Sequence, residues 1–185
     1  MVAVRLDIER ADFANPELRV FLREHLDDSA PTAPPESRHA LDVTALDHPK
    51  VRLWVAFDEH DVVATGALAE IEPGHEELKS MRTAPHRRGE GIARIMLEHL
   101  LHDARVRGVR RVSLETGSMD YFAPARALYT GAGFETCPPF GKYHRRSEQH
   151  LHDVPTLTRR DVASAADEGM GPREQRTGFI GCAHR

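Results

Sequence analysis

Ten consecutive residues, Ala84-Pro85-His86-Arg87-Arg88-Gly89-Glu90-Gly91-Ile92-Ala93, combine the residue types best suited to holding an anion. They lie between a strand that ends near Thr83 and a helix expected from the recurrence of Ile92, Met96, Leu100 and Ala104 at every fourth position. Glycines at a strand-to-helix turn let the backbone approach a ligand closely. The unpaired N–H groups of the first helical turn, with the positive end of the dipole, favour a phosphate or pyrophosphate there. One such charge is worth about 0.3–1 kcal/mol when exposed and up to about 2 kcal/mol when partly buried, so several N–H donors must act together with Arg87 or Arg88. Two other phosphate-binding patterns are absent. A Walker loop needs Lys followed by Ser or Thr after its second glycine, and a dinucleotide fingerprint needs a third glycine and an acidic residue at the end of the next strand.

The elements that must position this loop follow from periodicity. Val2, Val4, Leu6 and Ile8 alternate as in a half-buried strand. Asn15 and Pro16 suit the cap and first position of a helix carrying Leu18, Phe21, Leu22 and Leu26, and a short second helix is expected from Pro35 through His39, Leu41 and Leu46. Residues 51–57 and 62–72 read as a hairpin, and 76–83 as a further strand. The strong helix stops at Gly108; residues 109–115 form a strand, Phe122, Ala125, Tyr129 and Ala132 mark one face of a last helix, and 134–140 a last strand. The order β-α-α-β-β-β-α-β-α-β describes an α/β chain with a mixed sheet flanked by helices.

With those elements in place, the chain resembles the GNAT-type N-acetyltransferases. Arg88, Gly91 and Ala93 match the spacing of that family's acetyl-CoA signature, and Ala125, Leu128, Tyr129, Gly133 and Phe134 match its second landmark. Residues 34–42, 77–83 and 113–129 look like a bacterial subgroup of uncharacterised GNAT acetyltransferases, and the resemblance covers about residues 2–143. It implies an acyl-CoA N-acyltransferase fold: a splayed mixed sheet with acetyl-CoA in the opening. Met81, Arg82 and Thr83 are then expected to pair their backbone with the pantetheine, and Arg88, Gly89, Glu90, Gly91, Ile92 and Ala93 to cradle the pyrophosphate. The family often carries Asn where this chain has Phe122, which removes one polar contact expected from that turn.

Acetyl transfer to an amine needs a proton acceptor, because an alkyl amine with a lysine-like pKa near 10.4 costs about 4–5 kcal/mol to deprotonate at pH 7. Glu77, on the strand that faces acetyl-CoA in the resembling fold, is the first choice and Glu115 the second. Tyr129 is the candidate acid for the departing thiolate. The first helix and the segment after it form the near wall of the site in this family, and the subgroup resemblance implies that Glu36 and His39, ahead of His25, contact the acceptor. The expected activity is acetyl transfer from acetyl-CoA to a primary amine of a small molecule or peptide by direct attack in a ternary complex. A degenerate acyl-CoA-binding module without turnover is the alternative. His99 and His102 stand three apart on one helix but off its apolar stripe, so they read as a solvated face and not as metal ligands.

Composition bounds the partners. The chain has 185 residues, 40% apolar and 29% charged, with net charge −4, which argues against nucleic acid or an anionic membrane surface as ligand. No apolar run reaches the length of a membrane span, the start lacks the layout of a signal peptide, and Cys137 and Cys182 offer no disulfide framework; a cytoplasmic protein with reduced thiols is expected, and a homodimer is compatible with it. Residues 1–143 read as the domain. Residues 144–185 carry sparse large apolar side chains and read as a disordered tail, with the closing strand of the fold missing. A one-nucleotide insertion after the Tyr143 codon is one origin for such a tail.

Overall fold

The computed structural model describes residues 5–29, 43–141 and 149–155. Its elements, in chain order, are β1 (Asp7–Arg10), α1 (Pro16–Ser29), α2 (Val43–Leu46), β2 (Val51–Asp58), β3 (Asp61–Glu72), β4 (His75–Thr83), α3 (Ile92–Val106), β5 (Arg111–Gly117), α4 (Ala123–Gly131), β6 (Glu135–Thr136) and β7 (Gln149–Pro155). Short 3₁₀ turns at Pro85–Arg87 and Asp120–Phe122 lead into α3 and α4. The strands form one open mixed sheet in the order β1-β2-β3-β4-β5-β7-β6, with β4 and β5 parallel and the other pairs antiparallel.

Helices cover both faces. The α1 start is set by Asn15, whose side-chain oxygen accepts hydrogen bonds from the N–H groups of Glu17 at 2.9 Å and Leu18 at 3.3 Å. Leu18 and Leu22 of α1 pack with Leu46 of α2 on Leu53, Val55 and Ala67 of the sheet. The opposite face receives α3, which buries Ile92, Met96, Leu97, Leu100, Leu101 and Ala104. Leu68, Leu78, Val112, Leu114 and Tyr129 share that core. Each large apolar side chain so buried contributes about 1.5–3 kcal/mol, which is why the strongest periodicity in the sequence became the central packed helix. An ion-paired chain fixes its far end: Asp103 accepts from Arg52 at 2.9 Å and Arg107 at 2.8 Å, and Arg107 reaches Glu76 on β4 at 2.6 Å.

The geometry that matters most lies between β4 and β5. They pair over four residues, from His75 with Arg111 to Leu78 with Leu114. Beyond that point β4 stays with β3 as far as Thr83, opposite Ala64, while β5 stays with β7 as far as Gly117, opposite Gln149. The two parallel strands therefore part, and the facing backbone edges of 79–83 and 115–117 are not paired with each other. A bulge sits at the parting: Lys79 opposes Ala67 and Arg82 opposes Thr65, with Ser80 at φ 52° between them. Thr65 donates its hydroxyl to the Ser80 carbonyl at 3.1 Å and holds the bulge. The extra residue puts Lys79 and Arg82 on the same face of the sheet, where simple alternation would separate them.

Three expectations are corrected. The last strand expected over 134–140 is a two-residue strand, β6, beyond which the Cys137 N–H still donates to the Leu151 carbonyl at 2.9 Å. The closing strand is present: Gln149–Pro155 enters between β5 and β6, pairs with Arg111–Gly117 along its whole length, and buries Leu151 and His152. Its apolar residues do not alternate, so the backbone ladder, more than an apolar face, holds it in place. The described part of the sheet thus extends past residue 143. The first strand is placed at Asp7–Arg10, later than the alternation over 2–8 suggested. The helix expected to start at Pro35 falls mostly on residues 30–42, outside the described residues, with α2 as its described end.

Candidate active site

At the open end of the sheet the chain leaves β4 at Thr83, makes the Pro85–Arg87 turn, and enters α3 through Gly91. Gly89 has φ 86° and Gly91 φ 84°, a left-handed backbone that side-chain-bearing residues adopt only at a cost. A Cβ at either position would meet nothing within 4 Å, so the glycines serve conformation and the space beside them is open. Gly91 caps α3 with its carbonyl, accepting from Arg94 at 3.0 Å and Ile95 at 3.2 Å, and no side chain caps the helix. The first helical turn therefore has no side-chain cap, with the positive end of the dipole at this end. The two arginines divide. Arg87 is committed to Asp58 at 2.7 Å and to Glu90 at 2.9 Å, a bracket that ties the loop to the β2–β3 hairpin. Arg88 is exposed and forms no ion pair among the described residues, leaving it as the arginine able to meet an anion.

Below this cradle, on the α1 side of the sheet, β4 and β5 present a polar strip. Lys79 donates to Glu77 at 2.7 Å, and both side chains are nearly enclosed, 8% and 11% exposed. Glu115 lies on the same face of β5, just past the last β4–β5 pair. Burial raises its pKa, the Lys79 charge works against that rise and the Glu77 charge adds to it. Further down the strip, Ser113 lies 2.8 Å from His75 Nε2. His75 Nδ1 is flanked by Arg111 at 2.8 Å and by Glu72 at 3.4 Å, and the Phe140 ring lies 5.9 Å from the histidine. Burial and the Arg111 charge lower the His75 pKa, with Glu72 and Asp153 opposing.

An uncapped glycine-rich helix start at the mouth of a parted parallel strand pair is a distinctive arrangement. Residues 17–134 match the acetyltransferase (GNAT) family. The chain belongs to the GNAT family. It is 39% identical over 138 residues to "Uncharacterized N-acetyltransferase YsnE" of Bacillus subtilis (strain 168), spanning 75% of this chain and 91% of that one. It is 38% identical over 136 residues to "Uncharacterized N-acetyltransferase YedL" of Escherichia coli (strain K12), spanning 74% and 86%. A GNAT-family acetyltransferase from Staphylococcus aureus Mu50 shares the fold, with TM-score 0.66 at 16% identity over 83% of this chain and all of that one.

In this GNAT chain the remaining site residues fall as follows. Met81 turns its side chain into the α3 core, so only its backbone faces the opening. Arg82 crosses to α1, donating to Asp28 at 2.9 Å and lying over the Phe21 ring at 5.2 Å, with its Nε buried and unpartnered. The Thr83 hydroxyl is likewise buried without a partner. Ile92 is buried under the cradle and Ala93 is half-buried beside it. Tyr129 is buried edge-on to Phe134, and its hydroxyl makes no hydrogen bond among the described residues; burial raises its pKa, so the phenol keeps its proton. Glu36 and His39 lie outside the described residues. His99 is not solvated as expected: its ring packs edge-on to Trp54 at 4.4 Å and burial lowers its pKa. Among the described residues no three His, Cys, Asp or Glu side chains gather as a metal site, and no helix is long and apolar enough to cross a membrane.

Sequence reasoning missed Lys79, the Asp58 bracket and the Arg82 strut to α1. Lys79 was legible, since a residue two along a strand from Glu77 shares its face. The strut was not, because it depends on the bulge.

His25, on α1 beside Arg82 and Arg88, supplies a pH test of this wall. Burial is the main cause that brings its pKa from 6.5 to about 4, with Arg82 assisting, Asp28 opposing and Arg88 assisting. The folded value lies below the unfolded one, so the stabilisation is complete above pH 6.5 and is lost as pH falls from 6.5 toward 4, by at most about 3 kcal/mol. His25→Leu should lose less melting temperature between pH 7 and pH 4.5 than the parent protein does. Equal losses in the two proteins would show that His25 stays solvated.

Proposed function

We propose that this protein is an acetyl-CoA-dependent N-acetyltransferase that passes the acetyl group to a primary amine of a small molecule or peptide by direct attack in a ternary complex. The observation that carries the reading is the meeting, at one end of the sheet, of the β4–β5 parting with the uncapped glycine start of α3. One feature accommodates an extended thioester arm along free backbone, and the other its pyrophosphate.

The residues present fit that ligand. The backbone of Met81, Arg82 and Thr83 lies on the unpaired edge of β4, and the N–H groups of Gly89, Glu90, Gly91, Ile92 and Ala93, with Arg88, face the open space at the helix start. Acetyl-CoA, when bound, supplies an acyl group already activated as a thioester. The chain then has to manage protons. Glu77, the choice made from sequence, is occupied by the Lys79 ammonium at 2.7 Å. We therefore give proton acceptance to Glu115, whose pKa burial raises, and give Glu77 the task of neutralising Lys79 beside it. Tyr129, protonated throughout the working range, offers its hydroxyl to the departing sulfur. Glu36 and His39 are proposed as further acceptor contacts on the segment after α1.

The test is titration of the full chain with acetyl-CoA, followed by thiol release with a panel of amines. Saturable binding and amine-dependent release of free thiol are expected. Binding without release for any amine overturns the transferase reading, and absence of binding overturns the site.

A further inference from the structure

The turn that follows β5 carries apolar side chains that the acetyl-transfer reading leaves unused. Gly117 ends β5 and, by the two-residue period of a strand, faces the same side as Ser113 and Glu115. The Phe122 ring lies against it: a Cβ on Gly117 would stand 2.5 Å from two ring carbons, so glycine is what admits the ring. Tyr121 meets Phe122 edge-on, with centroids 5.0 Å apart at 89°. Arg126 donates to the carbonyls of Gly117 at 2.7 Å and Met119 at 2.9 Å, which holds the turn in shape. Met119 and Tyr121 are nonetheless 45% and 53% exposed, two of the four large apolar side chains exposed among the described residues. A clamped turn that keeps apolar side chains in water, continuous with a polar strip, has the form of a binding lip.

We infer that the acceptor is an amine bearing an apolar ring, its cationic end facing Glu115 and Glu77 and its ring seated against Phe122, Tyr121 and Met119. The charges agree, because Glu115 adds a carboxylate beside the Lys79–Glu77 ion pair, and Arg82 on the same face is taken by Asp28. The spacing agrees as well: two residues along β5 span about 7 Å, the scale of a short arylalkylamine. Phe122 stands where the resembling enzymes often carry Asn, so this lip belongs to this chain's own sequence. The inference rests on the acetyl-transfer reading and narrows its acceptor.

Calorimetric titration of the full chain loaded with CoA tests it, with phenethylamine and 1,4-diaminobutane as probes. Phenethylamine should bind at least about tenfold tighter, and Tyr121→Ser and Met119→Ser should each weaken it about three- to tenfold while acetyl-CoA affinity stays within twofold. Equal or tighter binding of the diamine, or unchanged phenethylamine affinity in both variants, overturns the inference. A Tyr121→Ser effect confined to turning a sedimenting dimer into a monomer also overturns it, by assigning the lip to a second copy of the chain. Failure of acetyl-CoA to bind removes the underlying reading; acetyl-CoA turnover with a preference for the diamine removes only the ring.

Discussion

Gly91→Glu should abolish acetyl-CoA binding while leaving the protein folded, with Kd rising at least about 100-fold, equivalent to about 2.7 kcal/mol. The glycine holds φ 84° at the cap of α3, and a side chain there meets nothing within 4 Å. The fold therefore suffers only the left-handed backbone cost of about 1–2 kcal/mol. The ligand suffers more, because the new carboxylate occupies the space in front of the first-turn N–H groups and sets negative charge against the pyrophosphate. Gly91→Ala separates the two effects, since it carries the backbone cost without the charge and should keep most of the affinity. Calorimetry with a melting curve for each variant is sufficient. Unchanged affinity in folded Gly91→Glu would move the anion site elsewhere.

The second large effect is on turnover. Glu115→Gln should lower kcat about 10²–10³-fold with little change in acetyl-CoA affinity, as removal of a proton acceptor does. The sign of the pH dependence follows from the raised pKa: the carboxyl must lose its proton to act, so activity climbs with pH through a limb above the usual carboxylate range. That limb should vanish in the variant. Glu77→Gln gives the informative contrast. It removes the Glu77 charge that raises the pKa of Glu115, and should move the limb to lower pH with a smaller loss of rate. A larger loss for Glu77→Gln than for Glu115→Gln would return proton acceptance to Glu77.

How far the residues announce the site depends on how local its causes are. The glycine loop and α3 were plain in the sequence because a 3.6-residue period and a strand-to-helix turn are short-range signals, and both landed where expected. The face carrying Arg82 was hidden. It depends on a bulge at Ser80, a non-glycine residue at positive φ, and on the Thr65 hydroxyl fifteen positions earlier that holds it. Strand β7 was hidden for a different reason. Leu151-His152-Asp153-Val154 has no two-residue apolar period, and its place is dictated by two partners, β5 and β6, that leave a strand-wide gap between them. Of the two arginines of the loop, only the position of Asp58 across the sheet decides that Arg87 is taken and Arg88 is left.

The order of the strands also says when the site comes into being. β7 is the last of the described strands in chain order, yet it must slide between β5 and β6 in the sheet. During synthesis the inner edge of β5, with Glu115 on it, waits unpaired until Pro155 has emerged, while the glycine loop and α3 are complete some fifty residues earlier. The loop and helix proposed to hold the pyrophosphate are thus made early, and the strand pairing beside the proposed proton acceptor is made late. A chain ending before Gln149 would leave that edge of β5 without its partner.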